Sequence, residues 1–283
     1  MGKNFAIISL LLLSLPVSAE KTINFGVYTS DKPTTMVTMF RPILNYLEKN
    51  VSAMLEEKIS INLQVSSTYQ AGIDALITGE VDFARMGPAS YILSKNIEPN
   101  IKLIAMENKK GKRFFYGIIC VPKDSRIQNI EQLKGTRFAF GNENSTIGRY
   151  LSQHHLYQQG VLSHNLQSFS YLQRHDKVAS SVGLGHYDAG ALKESTFNKM
   201  NKKGFDLREI SRFKNTTKPW IASKKIDDDI FYAIKTSLLK LHDPSILKSI
   251  KKDGFFEASD SDYKTIRESI NKNPLFFSNI EEL

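Results

Sequence analysis

Four short stretches hold the residues that could do chemistry: Tyr28-Thr29-Ser30, Gly87 to Tyr91, Asn144-Ser145-Thr146 and Arg174-His175-Asp176. Each follows a stretch that reads as a β-strand, and each offers hydroxyls, backbone N–H groups or an imidazole. In open α/β sheets, ligands sit at the carboxyl ends of strands, where helices begin. A helix start carries unpaired N–H donors and a partial positive charge, so it suits a phosphate-like anion. Ser or Thr at one such start is commonly just an N-cap; recurrence at several strand ends favours a shared grip on an anion. Catalytic readings lack parts. There is no G-x-S-x-G elbow and no third member for a Ser–His triad around His175. No P-loop or G-x-G-x-x-G occurs. His154-His155 are adjacent rather than four apart, a poor spacing for a metal. The expectation is a binding protein for a small oxyanion, with no enzyme activity, metal or cofactor.

The elements that must position these residues alternate. Residues 22–28 read as a strand, followed by a Thr/Ser/Asp/Pro loop and a helix over 36–55. A strand over 60–65 leads, through N-cap residues 66–68, to a helix over 69–78 closed by Gly79. A short strand over 81–85 turns at Gly87-Pro88 into another helix, which runs to about Lys95. This alternation predicts a largely parallel sheet with helices on its faces. Residues 113–121 are strand-like. From Ile130 a second unit begins: strand 137–140, helix 145–159, strand 167–172, helix 176–184, strand 187–192. After 205–210 and 215–219 come 220–223 and an amphipathic helix over 227–241. Two α/β units joined near 116–122 and 211–221 fit two lobes with a double crossover.

Composition sets the class. The 283 residues are 41% hydrophobic, long enough for two lobes with separate cores. A formal net charge of +9 comes from scattered Lys and Arg, without a zinc-finger, RRM or basic-helix signature, so nucleic acid is not an expected partner. Lys3, the apolar run 5–15, Pro16 and the small residues Val17-Ser18-Ala19 read as an export signal cleaved after Ala19. Cys120 is the sole cysteine, so no disulfide framework exists, and its apolar surroundings predict a buried thiol.

Several marker stretches then carry a family resemblance: Phe25-Gly26-Val27-Tyr28-Thr29-Ser30, Gly79-Glu80-Val81-Asp82-Phe83-Ala84, Gly87-Pro88-Ala89-Ser90-Tyr91, Phe138-Ala139-Phe140-Gly141, Asn144-Ser145-Thr146-Ile147-Gly148 and Tyr187-Asp188-Ala189-Gly190-Ala191. In this order and spacing the chain, over about residues 22–265, resembles the periplasmic substrate-binding proteins of phosphonate, phosphite and phosphate ABC transporters. The resemblance implies a type II periplasmic binding protein: α/β, two lobes, each a mixed sheet flanked by helices, with the ligand between them. It implies a first lobe from 20–118 and 214–283, the latter including the C-terminal helices, and a second from 119–213. It implies a soluble periplasmic monomer that delivers its anion to an inner-membrane permease, or presents it to a membrane sensor kinase. Carried over by position, Thr29 and Ser30 donate from the first lobe; Ser145 and Thr146, beside Asn144, donate from the second; His175 reaches the same oxyanion; Ser90 and Tyr91 form wall. The departures matter. Members that take aminoalkyl phosphonates have an acid before the proline that here is Pro219, and this chain has Lys218. The family's second acidic position falls near Ser195, with Glu194 one place early, and Met86 stands where some members have a Tyr. In the cleft, Lys218 would favour an extra negative charge or a plain anion; outside it, Lys218 is a solvated hinge residue.

Overall fold

The computed structural model describes residues 20–28 and 33–278; the export-signal stretch 1–19 and the Thr29-Ser30 pair lie outside the described residues. The chain first lays down β1 (Lys21–Tyr28), α1 (Pro33–Leu55), β2 (Ile59–Ser66), α2 (Tyr69–Thr78), β3 (Phe83–Arg85), α3 (Pro88–Ile97) and β4 (Lys102–Asn108). It continues through β5 (Phe114–Pro122), β6 (Arg137–Phe140), a π-turn (Thr146–Tyr150) running into α4 (Leu151–Gln158), β7 (Ser168–Tyr171), α5 (His175–Gly183), β8 (Ala189–Lys193), α6 (Glu194–Asn201) and β9 (Leu207–Thr216). It returns with β10 (Pro219–Ala222), α7 (Asp228–Leu239), α8 (Pro244–Ser249), β11 (Gly254–Phe256) and α9 (Lys264–Asn271).

The strands form two sheets. One has the order β11-β4-β10-β3-β1-β2 and the other β7-β6-β8-β5-β9. Both are mixed. The β1–β2, β1–β3, β6–β7 and β6–β8 pairs are parallel, as βαβ units dictate. The expected largely parallel sheet is corrected by β10, which returns from the other lobe and enters antiparallel between β3 and β4. In the second sheet β5 runs antiparallel to both β8 and β9.

The chain crosses between sheets at 109–113 and again at 217–218, side by side: the Thr217 N–H donates to the Arg113 carbonyl at 2.9 Å. The expected divisions at 118/119 and 213/214 therefore fall inside β5 and β9, whose hydrogen-bonded pairing keeps both whole in the second sheet.

Each lobe has an apolar centre, and a third buried cluster, from Tyr28 and Tyr91 to Phe138 and Phe140, runs through both. Trp220 stacks on Phe25 (centroids 4.8 Å apart, 23° between planes), under α1 and α7. Val178, Ala179, Val182 and Met200 of α5 and α6 cover one face of the second sheet, together with the fully buried Cys120, whose thiol pKa is pushed up by burial. The C-terminal segment ties the lobes together. Arg267 of α9 reaches Asn96 of α3, while Asn273 donates to Gln153 of α4 at 2.7 Å and Phe276 packs on Phe140. Among the described residues no helix is long and apolar enough to cross a membrane.

Candidate functional site

The carboxyl ends of β1, β3, β6, β7 and β8 all point toward one space between the lobes, a cleft of about 370 Å³. From the first lobe it is lined by Tyr28, the last residue of β1, by Tyr69, and by Gly87-Pro88 at the start of α3; Lys218 lines it from the crossover. From the second come Ser145, Thr146 and Ile147 at the π-turn, Gln173 to Asp176 after β7, Lys193 at the end of β8, Ser195, Thr196 and Lys199 of α6, Phe115 of β5 and Asn215 of β9.

Two helix starts meet here, and their local wiring shows why. Ser145 is the N-cap of the π-turn: its hydroxyl accepts from the Gly148 N–H at 3.0 Å. Thr146 reaches across the cleft, its Oγ1 accepting from the Ala89 N–H of α3 at 2.9 Å. The Tyr28 hydroxyl accepts from the Gly87 N–H at 2.6 Å and lies 3.2 Å from Ser90 Oγ. Tyr28 and Tyr69 stack with centroids 4.1 Å apart, forming an aromatic wall. At the rim, Asn144 donates from its side chain to Gln70 of the other lobe at 3.2 Å.

The expected residues divide accordingly. Ser145, Thr146, His175 and Lys218 line the cleft. Thr29 and Ser30 lie outside the described residues, although their neighbour Tyr28 lines the same cleft as Ser145 and Thr146. Ser90 and Tyr91, expected as wall, are buried and stand behind the residues that line the cleft. With Gly87 and Pro88 facing the cleft, the helical turn of about 100° per residue swings the next positions inward. Ser90 then supports the Tyr28 hydroxyl, and Tyr91 donates to Asp260 at 2.7 Å against the ring of Tyr263. Asn144 bridges the rim. Sequence reasoning missed Tyr28 as wall, Tyr69, Lys193 and Asn215. Lys193 had one usable signal, its place at the carboxyl end of a predicted strand.

The floor of the cleft is electropositive. Beneath it Glu107 is wholly buried and bound by Arg85 at 2.7 Å and by Lys252. Burial alone would raise its carboxyl, yet the two cations hold it well below the usual carboxylate range. Lys193 and Lys218 have no ion-pair partner among the described residues. Burial first, then repulsion from Lys252 and Arg85, lowers the Lys193 ammonium to about 7. Burial, then Arg85 and Lys193, holds Lys218 well below its ordinary value. His175 is pushed down to about 4 by burial and by the same two lysines, and its Nδ1 is buried without a hydrogen-bond partner. The side-chain oxygen of Asn215 is likewise buried and unpaired. Neutral donors, helix starts and two lysines without an ion-pair partner, whose charged forms an anion would favour, line one space that can hold an anion.

Fold and cleft together define a two-lobed solute-binding protein. Across residues 25–263 the chain matches the family described as ABC transporter, phosphonate, periplasmic substrate-binding protein, and it belongs to that family. It is 26% identical, over 80% of its length and 75% of the relative's, to a probable phosphite-binding protein of an ABC transporter from Prochlorococcus marinus. It is 22% identical, over 84% of its length and 76% of the relative's, to a phosphate-import protein from Mycolicibacterium smegmatis. A solved structure from Prochlorococcus marinus in complex with methylphosphonate shares the fold, with a TM-score of 0.77 at 23% identity over 89% of this chain and 98% of that one.

Proposed function

We propose that this protein captures a small oxyanion of the phosphonate, phosphite or phosphate type between its lobes and delivers it, as a monomer and unaltered, to a membrane ABC permease. The observation that carries this reading is the meeting of two helix starts at one cleft, joined across it by the Ala89 N–H and the Thr146 hydroxyl. A bound phosphoryl oxygen takes over these N–H groups and receives the Ser145 and Thr146 hydroxyls, with His175 as a further neutral donor. Family membership supports the transport role. Relatives named for phosphite and phosphate support the anion class.

Titration calorimetry with methylphosphonate tests this. Each hydrogen bond to a charged group is worth about 1.5–3 kcal/mol, so Thr146→Ala and Ser145→Ala should each weaken binding by roughly 10- to 150-fold. Unchanged affinity in both variants would reject the site.

A further inference from the structure

Like Lys199 of α6, Lys193 and Lys218 line the cleft without an ion-pair partner among the described residues. Arg85 and Lys252, just beneath them, are matched by Glu107. Among the described residues the cleft lining holds a single acidic side chain, Asp176, and that carboxylate is taken by Arg174 at 2.9 Å. Lys193 Nζ lies 5.0 Å from the centroid of the Phe115 ring, and Lys218 sits at the crossover, so both face the cleft from the hinge side. Asn215 of β9, also in the lining, has a buried side-chain oxygen without a partner; turned over, its amide presents two N–H donors to the same space. A cleft of about 370 Å³ exceeds what one phosphoryl group fills, since a water takes about 30 Å³ of liquid. A methyl end would leave both lysines without a counter-charge in a half-buried space, an anionic end would favour their charged form, and an ammonium end would add a further cation.

Resting on the phosphonate reading above, we infer that the ligand carries a second anionic group, a carboxylate or another phosphoryl group, held between Lys193 and Lys218 while the first sits at the helix starts. The cleft thus selects diacid phosphonates over simple alkyl and aminoalkyl ones.

Calorimetry on the mature chain at pH 7, with methylphosphonate, aminoethylphosphonate, phosphonoacetate, phosphonopropionate and methylenediphosphonate, decides it. One charge-assisted contact corresponds to about tenfold or more in affinity, so at least one diacid should bind about tenfold tighter than methylphosphonate, with aminoethylphosphonate weakest. The tightest of the three diacids tells carboxylate from second phosphoryl group. In Lys193→Met and Lys218→Met the ratio of diacid to methylphosphonate affinity should fall toward one. The unsubstituted protein's ligand ranking carries the test even if a variant folds poorly. Methylphosphonate binding as well as every diacid overturns the inference and leaves the phosphonate reading intact. Failure of every phosphonate to bind overturns both.

Discussion

His175 shows how one side chain's surroundings set its chemistry. It opens α5 with its ring against Gly141, and a Cβ on that glycine would lie 3.6 Å from Nδ1. Lys193 and Lys218 face it, with Asp176 beside it, and the balance favours neutral imidazole down to about pH 4. A neutral ring donates one N–H to an oxyanion without needing a proton from solvent. The folded state holds the proton less tightly than the unfolded chain does. The cost of protonation is absent above the unfolded value near 6.5 and grows as pH falls through about 4. We therefore predict that the unliganded protein's melting temperature falls between pH 6.5 and 4, and that His175→Asn flattens the fall; parallel curves for both proteins would remove this role. The residue scale was only partly legible in the sequence. Ser145 and Thr146 announce themselves as hydroxyls at a helix start. Lys193 does not, because a lysine closing a strand reads as solvated surface until the neighbouring strands bury it.

At the scale of elements, legibility followed how local the signal is. Helix α2 spans 69–78 as the sequence indicates, because Thr68 caps its start at 3.0 Å and Gly79, at φ 70°, takes the left-handed turn that ends it. Strand β6 spans 137–140 for a similarly local reason, an apolar run closed by Gly141. The antiparallel entry of β10 was not legible, since it depends on where the chain returns from the other lobe. Nor was the π-turn before α4, whose side-chain spacing resembles an ordinary first turn. That turn depends on Gly148. A Cβ there would sit 2.8 Å from the Asn142 nitrogen and 2.9 Å from Cα of Gly141, so the loop and the turn approach too closely for any side chain. Gly148→Ala should push the 141–145 loop away, destabilise the protein by about 1–3 kcal/mol in a denaturant titration, and weaken methylphosphonate binding more than tenfold as Ser145 and Thr146 leave position. Full affinity in this variant would mean the loop is not held by that contact.

For the whole molecule the question is what closes the cleft. The lobes are joined by adjacent crossovers at 109–113 and 217–218 and by the C-terminal segment that touches both. Across the cleft run the buried Ala89–Thr146 hydrogen bond and, at the rim, the Gln70–Asn144 one. Against them works the repulsion that Arg85 and Lys252 exert on Lys193 and Lys218 in their charged forms, which burial already relieves in part by lowering both ammonium groups. An anion reverses the sign of that term, so ligand binding and lobe closure are one equilibrium, and the ligand shifts it by its preference for the closed form. Two results follow in small-angle scattering at low salt. Saturating ligand should lower the radius of gyration of the unsubstituted protein. Below about pH 7, where Lys193 is charged, the Lys193→Met, Lys218→Met double variant should already be more compact without ligand, because that repulsion is gone. Equal radii for the free double variant and the free unsubstituted protein would show that hinge packing, not charge in the cleft, sets the resting state.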